Sequence, residues 1–276
     1  LNMFNKVYLL KKKLSLFARL SWKKLTFTKN ILRPMNEIKL IAFDADDTLW
    51  GCQSYFDTVE RAYCEVLAPY ADAAKVSKAL FATESANMPL LGYGSKAFLI
   101  SLIENAINIS DGKVKGDELA LILGVGKELL RLPGRPFDGV RATLAKLKDL
   151  GNYHLVVFTK GELLDQESKF ERSGLRPYFD DIVIVSDKTT DAYFKLCERF
   201  NTRVDQFLMV GNSFRSDIEP VLKLGGWAAH IPSDSIWKHE VVEEYDHPNL
   251  IRLNNFAQLQ SHLSATGTIL NDYKPS

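Results

Sequence analysis

Cysteine is scarce in this 276-residue chain: Cys52, Cys64 and Cys197 are odd in number, scattered, and form no CxxC pair. That excludes a disulfide framework and a zinc cluster and suits a reducing compartment, so a cytoplasmic setting is expected. Long apolar runs are missing as well. No segment approaches the roughly 18 to 20 apolar residues that a membrane-crossing helix requires, so no transmembrane segment is expected. The five histidines (His154, His230, His239, His247, His262) lack metal-ligand spacing. Internal repeats and low-complexity tracts are absent. Acid is missing from one region only: Leu1 to Pro34 holds nine Lys and Arg and no Asp or Glu. The overall charge of +1 therefore hides a body of 26 basic and 34 acidic groups. An acidic body argues against a nucleic-acid surface.

The basic leader, residues 1–34, interleaves Lys with Leu, Phe and Trp22. It reads either as a targeting sequence or membrane-surface helix, or as a segment outside the working protein. On the second reading Met35, which opens MNEIKLIAFD, is the working start. The leader has neither the apolar block nor the small-residue cleavage site of a secretory signal.

What is present describes a globular enzyme-sized chain. With 46% hydrophobic and 25% charged residues, it can bury a sizeable core. At about 100 to 200 residues per domain, one large domain or a core with an insert is expected. Ile38 to Phe43 is an apolar run ending in acids, the pattern of a buried parallel strand. From Tyr55 to Leu130 the apolar residues recur at helical spacing, which predicts an all-helical insert. Asn87-Met-Pro and Leu91-Gly-Tyr-Gly are expected to break it into helical pairs. After Leu132-Pro-Gly-Arg-Pro the chain alternates: helix 139–150, strand 154–158, helix 162–173, strand 182–185, helix 190–200, strand 207–210, helix 216–224, strand 227–231. This predicts a doubly wound α/β fold with a parallel sheet covered on both faces. The expected organisation is a core of residues 35–54 and 131–264, an insert of residues 55–130, and a frayed tail of residues 265–276.

Ligands of such sheets bind beyond the carboxyl ends of the strands. There the chain presents Asp44-Ala-Asp46-Asp47-Thr48, then Thr159-Lys160-Gly161, then Ser186-Asp187-Lys188, then Gly211-Asn212-Ser213 with Asp217 beyond. Clustered carboxylates repel one another unless a cation neutralises them, and all-oxygen ligands select Mg²⁺ over zinc.

These four strand ends resemble the haloacid dehalogenase superfamily of phosphohydrolases. FDADDTL matches its first motif, VVFTKG its second, Lys188 in SDKTTDAYF its third and VGNSFRSD its fourth, over nearly all of Lys39 to Leu263. The insert is similar to the C1-type cap of that family. The resemblance implies that Asp44 is the nucleophile, forming an aspartyl-phosphate, and that Asp46 is the general acid and then base. Thr159, Lys160 and Lys188 would bind phosphate, and Asp44, the Asp46 backbone carbonyl, Asn212 and Asp217 would hold Mg²⁺. The blander reading of a lone Asp after a strand is a turn or helix cap, and Asp47 and Asp187 are read that way. Cys52 is read as a buried thiol, with no helix N-terminus evidently placed to lower its pKa.

Where many members carry an acid after the glycine of the fourth motif, this chain has Asn212. Either Asn212 binds the metal with Asp217 acting through water, or Asp217 takes its place. Dehalogenases of the family lack the acid at the position of Asp46, so hydrolysis of a small phosphorylated metabolite (a nucleotide, FMN or a sugar phosphate) leads. A phosphomutase and a degenerate phosphatase-like binding module are the alternatives. The substrate and the oligomeric state are not legible.

Overall fold

Leu40–Phe43, the four-residue strand β1, is apolar throughout and wholly buried, because neighbours pair with it on both sides and helices cover both of its faces. A computed structural model describes residues 37–263; the leader (1–34) and the tail (265–276), with the expectations attached to them, lie outside the described residues. β1 pairs in parallel with β2 (His154–Lys160) and β4 (Phe207–Gly211). With β3 (Asp181–Val185), β5 (Trp227–His230) and β6 (Leu250–Arg252) they form one parallel sheet in the order β3-β2-β1-β4-β5-β6. The chain runs outward from β1 to β3 and then returns to β4 on the other side of β1. That reversal opens a crevice beyond the carboxyl ends of β1 and β4.

Side chains alternate between the two faces of the sheet with the period of two that a strand imposes. Ile41, Phe43, Val157, Leu208 and Val210 pack in one core cluster with Val140, Leu144 and Phe170. Their neighbours Leu40, Ala42, Val156, Phe158 and Met209 pack in another with Tyr193, Leu196 and Val221. The covering helices are α5 (Val140–Leu150) and α6 (Leu163–Ser173) on the first face, α7 (Thr190–Arg199) and α8 (Glu219–Leu224) on the second. Each fully buried Val, Leu, Ile or Phe contributes about 1.5–3 kcal/mol relative to exposure.

Between β1 and α5 lie four helices, α1 (Gln53–Val66), α2 (Ala73–Leu91), α3 (Ser95–Ile109) and α4 (Gly116–Glu128). They bury a cluster of their own, including Val59, Tyr63, Leu80, Leu102 and Ile122. Tyr63 is tied inside it, donating to the Leu102 carbonyl at 3.0 Å and accepting from Asn105 at 2.8 Å. One expected break is absent. Helix α2 runs through Asn87-Met-Pro to Leu91, because Pro89 falls in its last turn, where its missing N–H forfeits a single ladder bond. The break occurs only at Gly92, whose φ of +70° few side chains tolerate.

Two further differences stand out. β6 is a sixth strand where sequence periodicity indicates five. The helix expected from Ser216 begins as a π-helical turn, Phe214–Ile218, that runs directly into α8.

Candidate active site

The backbone of Asp44 continues the sheet, its N–H donating to the Val210 carbonyl at 2.9 Å. Its buried carboxylate thus stands over the crevice between β1 and β4. Lys188, two residues past Ser186 at the end of β3, sends its ammonium inward to donate to both Asp44 Oδ1 and Asp217 Oδ1, the latter at 2.7 Å. Asp217 lies in the π-helical turn, and its other oxygen accepts from the Ser213 N–H at 3.0 Å. The turn presses this carboxylate onto the end of β4. A Cβ at Gly211 would lie 2.2 Å from Asp217 Oδ2, so only glycine admits the approach. Thr48 Oγ1 stands 3.1 Å from Asp44 Oδ2 and 3.1 Å from Asn212 Oδ1. Asp44, Lys188, Asn212 and Asp217, drawn from three strand ends, therefore meet at one point.

Two carboxylates around one ammonium leave a negative excess. Burial, aided by nearby Asp217, pushes the Asp44 carboxyl up to about 7 against the pull of Lys188. Burial would lower Lys188, but Asp217 and Asp44 overcome it and hold the ammonium above its ordinary range. Among the described residues no three His, Cys, Asp or Glu side chains gather into a metal cluster. The oxygen set of two carboxylates and one amide nevertheless fits a hard divalent cation, with one charge fewer than a three-carboxylate site.

Asp46 is held more firmly than its sequence position suggests. Its Oδ2 accepts from Lys169 at 2.6 Å and Gln166 at 2.9 Å, and its Oδ1 from the Trp50 indole at 2.9 Å. Burial raises its pKa, yet the Lys169 ammonium and these donors outweigh burial and leave it below the usual carboxylate range. Asp47, at a φ of +62°, turns its carboxylate onto the N–H groups of Cys52 and Gln53 at 2.8 and 3.0 Å. It caps α1. Asp187 likewise accepts from the following Lys188 N–H at 2.8 Å. Cys52 does sit at a helix N-terminus, contrary to the sequence reading, because it directly precedes α1. Burial and the Asp46 and Asp47 carboxylates still push its thiol well above the ordinary range.

Thr159, buried at the end of β2, lines the cavity beside Asp44. Lys160 lines it too. It donates to Glu240 and, at 2.9 Å, to Ser216, and it lies 4.4 Å from the centre of the Tyr93 ring. The cavity encloses about 410 Å³ between the strand ends and helices α1 to α3.

A family model described as haloacid dehalogenase-like hydrolase matches residues 38–225. The chain belongs to that family. It is 25% identical over 199 residues to glyceraldehyde 3-phosphate phosphatase of Methanocaldococcus jannaschii, spanning 68% of this chain and 82% of that protein. Among solved structures, a haloacid dehalogenase-like family hydrolase from Xanthomonas campestris superposes with a TM-score of 0.72 at 34% identity, covering 81% of this chain and 89% of that one. A 2-haloacid dehalogenase from Pseudomonas syringae superposes at 0.55 with 21% identity, covering 81% and 97%. The last is a likeness of fold alone.

In this haloacid dehalogenase-like hydrolase the sequence motifs leave out several site groups. Lys169 and Gln166 grip Asp46 from α6, a helix whose sequence LLDQESKFERS reads as solvated. Their signal is spacing: Asp165, Gln166, Lys169, Phe170 and Ser173 follow a helical face, and all five are buried. Glu240, far along the chain, offers no local cue. Among the described residues no helix is long and apolar enough to cross a membrane.

Proposed function

We propose that this chain hydrolyses small phosphate monoesters through an aspartyl-phosphate on Asp44. The observation that carries the reading is the Asp44 carboxylate, fixed at the sheet's point of reversal by Lys188 and opening on a cavity lined also by Asp46 and Thr159. An Asp44 oxygen attacks phosphorus, the ester P–O bond breaks, and its electron pair leaves with the alcohol oxygen, which takes a proton from Asp46. Water then attacks the phosphorus and yields its proton to the Asp46 carboxylate as the bond to Asp44 breaks. The grip of Lys169 favours the ionised form that this second step needs, so the first step draws on the minor protonated form of Asp46. Lys188 and the Thr159 hydroxyl stabilise the charge that spreads over the phosphoryl oxygens. Lys160, whose ammonium already carries Glu240, orients the wall beside them.

Asp44, Asn212 and the Asp46 backbone carbonyl would hold Mg²⁺, with Asp217 acting through water while its oxygens accept from Lys188 and the Ser213 N–H. When bound, the metal supplies charge neutralisation at the transferring phosphoryl group. Helices α1 to α4 act as a C1-type cap over the core. The phosphatase named among the relatives supports the reaction class, and three free cysteines support a cytoplasmic setting.

The test is steady-state hydrolysis of p-nitrophenyl phosphate and a panel of phosphorylated metabolites by the purified full chain. Asp44→Asn should lower turnover by at least about 10³-fold, on the scale of losing a nucleophile, with an unchanged far-UV spectrum. EDTA should abolish the activity and Mg²⁺ restore it. Turnover that survives Asp44→Asn overturns the proposal.

A further inference from the structure

Between β5 and β6, residues 231–249 hold no more regular structure than a single helical turn, Lys238–Glu240. Irregular connections longer than about 15 residues inside a compact fold are mostly functional. One stretch of this connection, Ser235–Glu240, is fastened at both ends. Towards the helices, Ser235 donates to Asp57 of α1 at 2.9 Å, and Lys238 lies 3.7 Å from Glu60 of the same helix. His239 stacks on Phe81 of α2 with ring centres 4.2 Å apart. Trp237 meets Tyr93, in the turn between α2 and α3, edge-on at 5.8 Å.

Glu240 faces the other way, onto the strand ends. Its side chain is only 10% exposed. One oxygen accepts from Lys160 at the end of β2, the other from the hydroxyls of Ser213 and Ser216, the latter at 2.6 Å. Lys160 also donates to Ser216 at 2.9 Å, which closes a ring of hydrogen bonds. Burial would raise the Glu240 carboxyl, but Lys160 and the two hydroxyls hold it below the usual carboxylate range. A buried ion pair adds little net stability, and its best-attested use is to fix register. Here the register is that of the π-helical turn. Ser213 accepts from the Ser216 N–H at 3.0 Å and gives its own N–H to Asp217, which in turn holds Lys188 against Asp44.

Resting on the phosphatase reading, we propose that Ser235–Glu240 is a strap coupling the helical wall to the catalytic floor, with Glu240 a positioning residue that acts on Asp44 through Ser213, Ser216 and Asp217. Glu240 touches no reacting atom. Its carboxylate keeps the turn tight under Asp217, and a shift of helices α1 and α2 reaches that turn through the strap.

The experiment measures kcat and KM for p-nitrophenyl phosphate on the full chain with Mg²⁺, with melting curves to show that each variant is folded at the assay temperature. Glu240→Gln keeps the shape and loses the charge. Its kcat should fall about tenfold or more, the scale of a misplaced catalytic group, with KM within about threefold of wild type. His239→Ala, which frees the strap from Phe81, should lower kcat by a smaller factor, and the double variant should be no slower than Glu240→Gln alone, because both act through one turn. Apart from turnover, amide hydrogen exchange at Phe214–Ile218 should quicken in both single variants. If Glu240→Gln does not fold, Ser216→Ala, which opens the same ring, is read in its place. A folded variant with kcat within about twofold of wild type, or losses that multiply in the double variant, overturns the inference and leaves the phosphatase reading standing. No turnover by the wild-type chain overturns the phosphatase reading and this inference with it.

Discussion

The floor of the cavity and its helical wall treat charge in opposite ways. On the floor each ammonium is matched to buried acids: Lys188 to Asp44 and Asp217, Lys169 to Asp46 and Asp165, Lys160 to Glu240. On the wall, Glu60 and Glu84 have a mostly exposed lysine for company. A buried pair fixes geometry at the cost of desolvation, and removing one member strands the other. The wall acids lack a buried cation, so burial and the charge of Glu60 push Glu84 toward its neutral form instead. Fixed charges below and a titrating acid above follow from that contrast.

The contrast breaks most visibly at Lys169. Lys169→Met leaves Asp46 and Asp165 buried without their cation, and should cost about 3–5 kcal/mol in denaturant unfolding. A loss below about 1 kcal/mol, the size of an exposed pair, would make the floor no more demanding than the surface. Next comes Gly211→Ala, whose new Cβ must displace Asp217 from a position 2.2 Å away. Overpacking of that kind costs about 1–3 kcal/mol, and turnover should fall with it because Asp217 can no longer hold Lys188 in register. An alanine variant with wild-type kinetics would show that the close approach is dispensable.

The smallest effect should carry the opposite sign. Glu84 binds its proton more tightly in the folded chain, with a pKa raised from an ordinary 4.5 to about 7 by burial and Glu60. Its contribution is therefore most favourable below about pH 4.5, is lost as pH rises through 7, and is most adverse above that. Glu84→Gln should accordingly stabilise the chain at pH 8 by on the order of 1 kcal/mol, a few degrees in Tm, and much less at pH 5. Equal melting shifts at the two pH values would remove the charge from the explanation.

Part of the floor was readable because Asp44, Thr159, Lys188 and Asn212 stand at or just past the ends of strands, and strands announce themselves as short apolar runs. Asp44, Thr159, Lys188 and Asn212 needed only the rule that parallel sheets work at their carboxyl ends. Lys169 and Gln166 escaped that rule, since a polar helical face reads as solvent-facing until the fold turns it inward against Asp46. Lys160 is joined by Glu240 from 80 residues away, and no local pattern foretells such a pairing. Pro89 misled for a different reason: its effect depends on which turn of a helix it occupies, and that turn is set by packing. The sixth strand, Leu250–Arg252, is three residues long, too short for any period to register.

That brevity has a further effect at the sheet's far margin. An outermost strand is a template on which a foreign chain can lay another, the first step of runaway fibre growth. Here the template is three residues long. Arg252 within it is braced by Glu244 at 2.6 Å and Asp246 at 3.3 Å. A newcomer would find few free amide groups and would have to desolvate fixed charges to reach them, so the strand itself discourages polymerisation at this border.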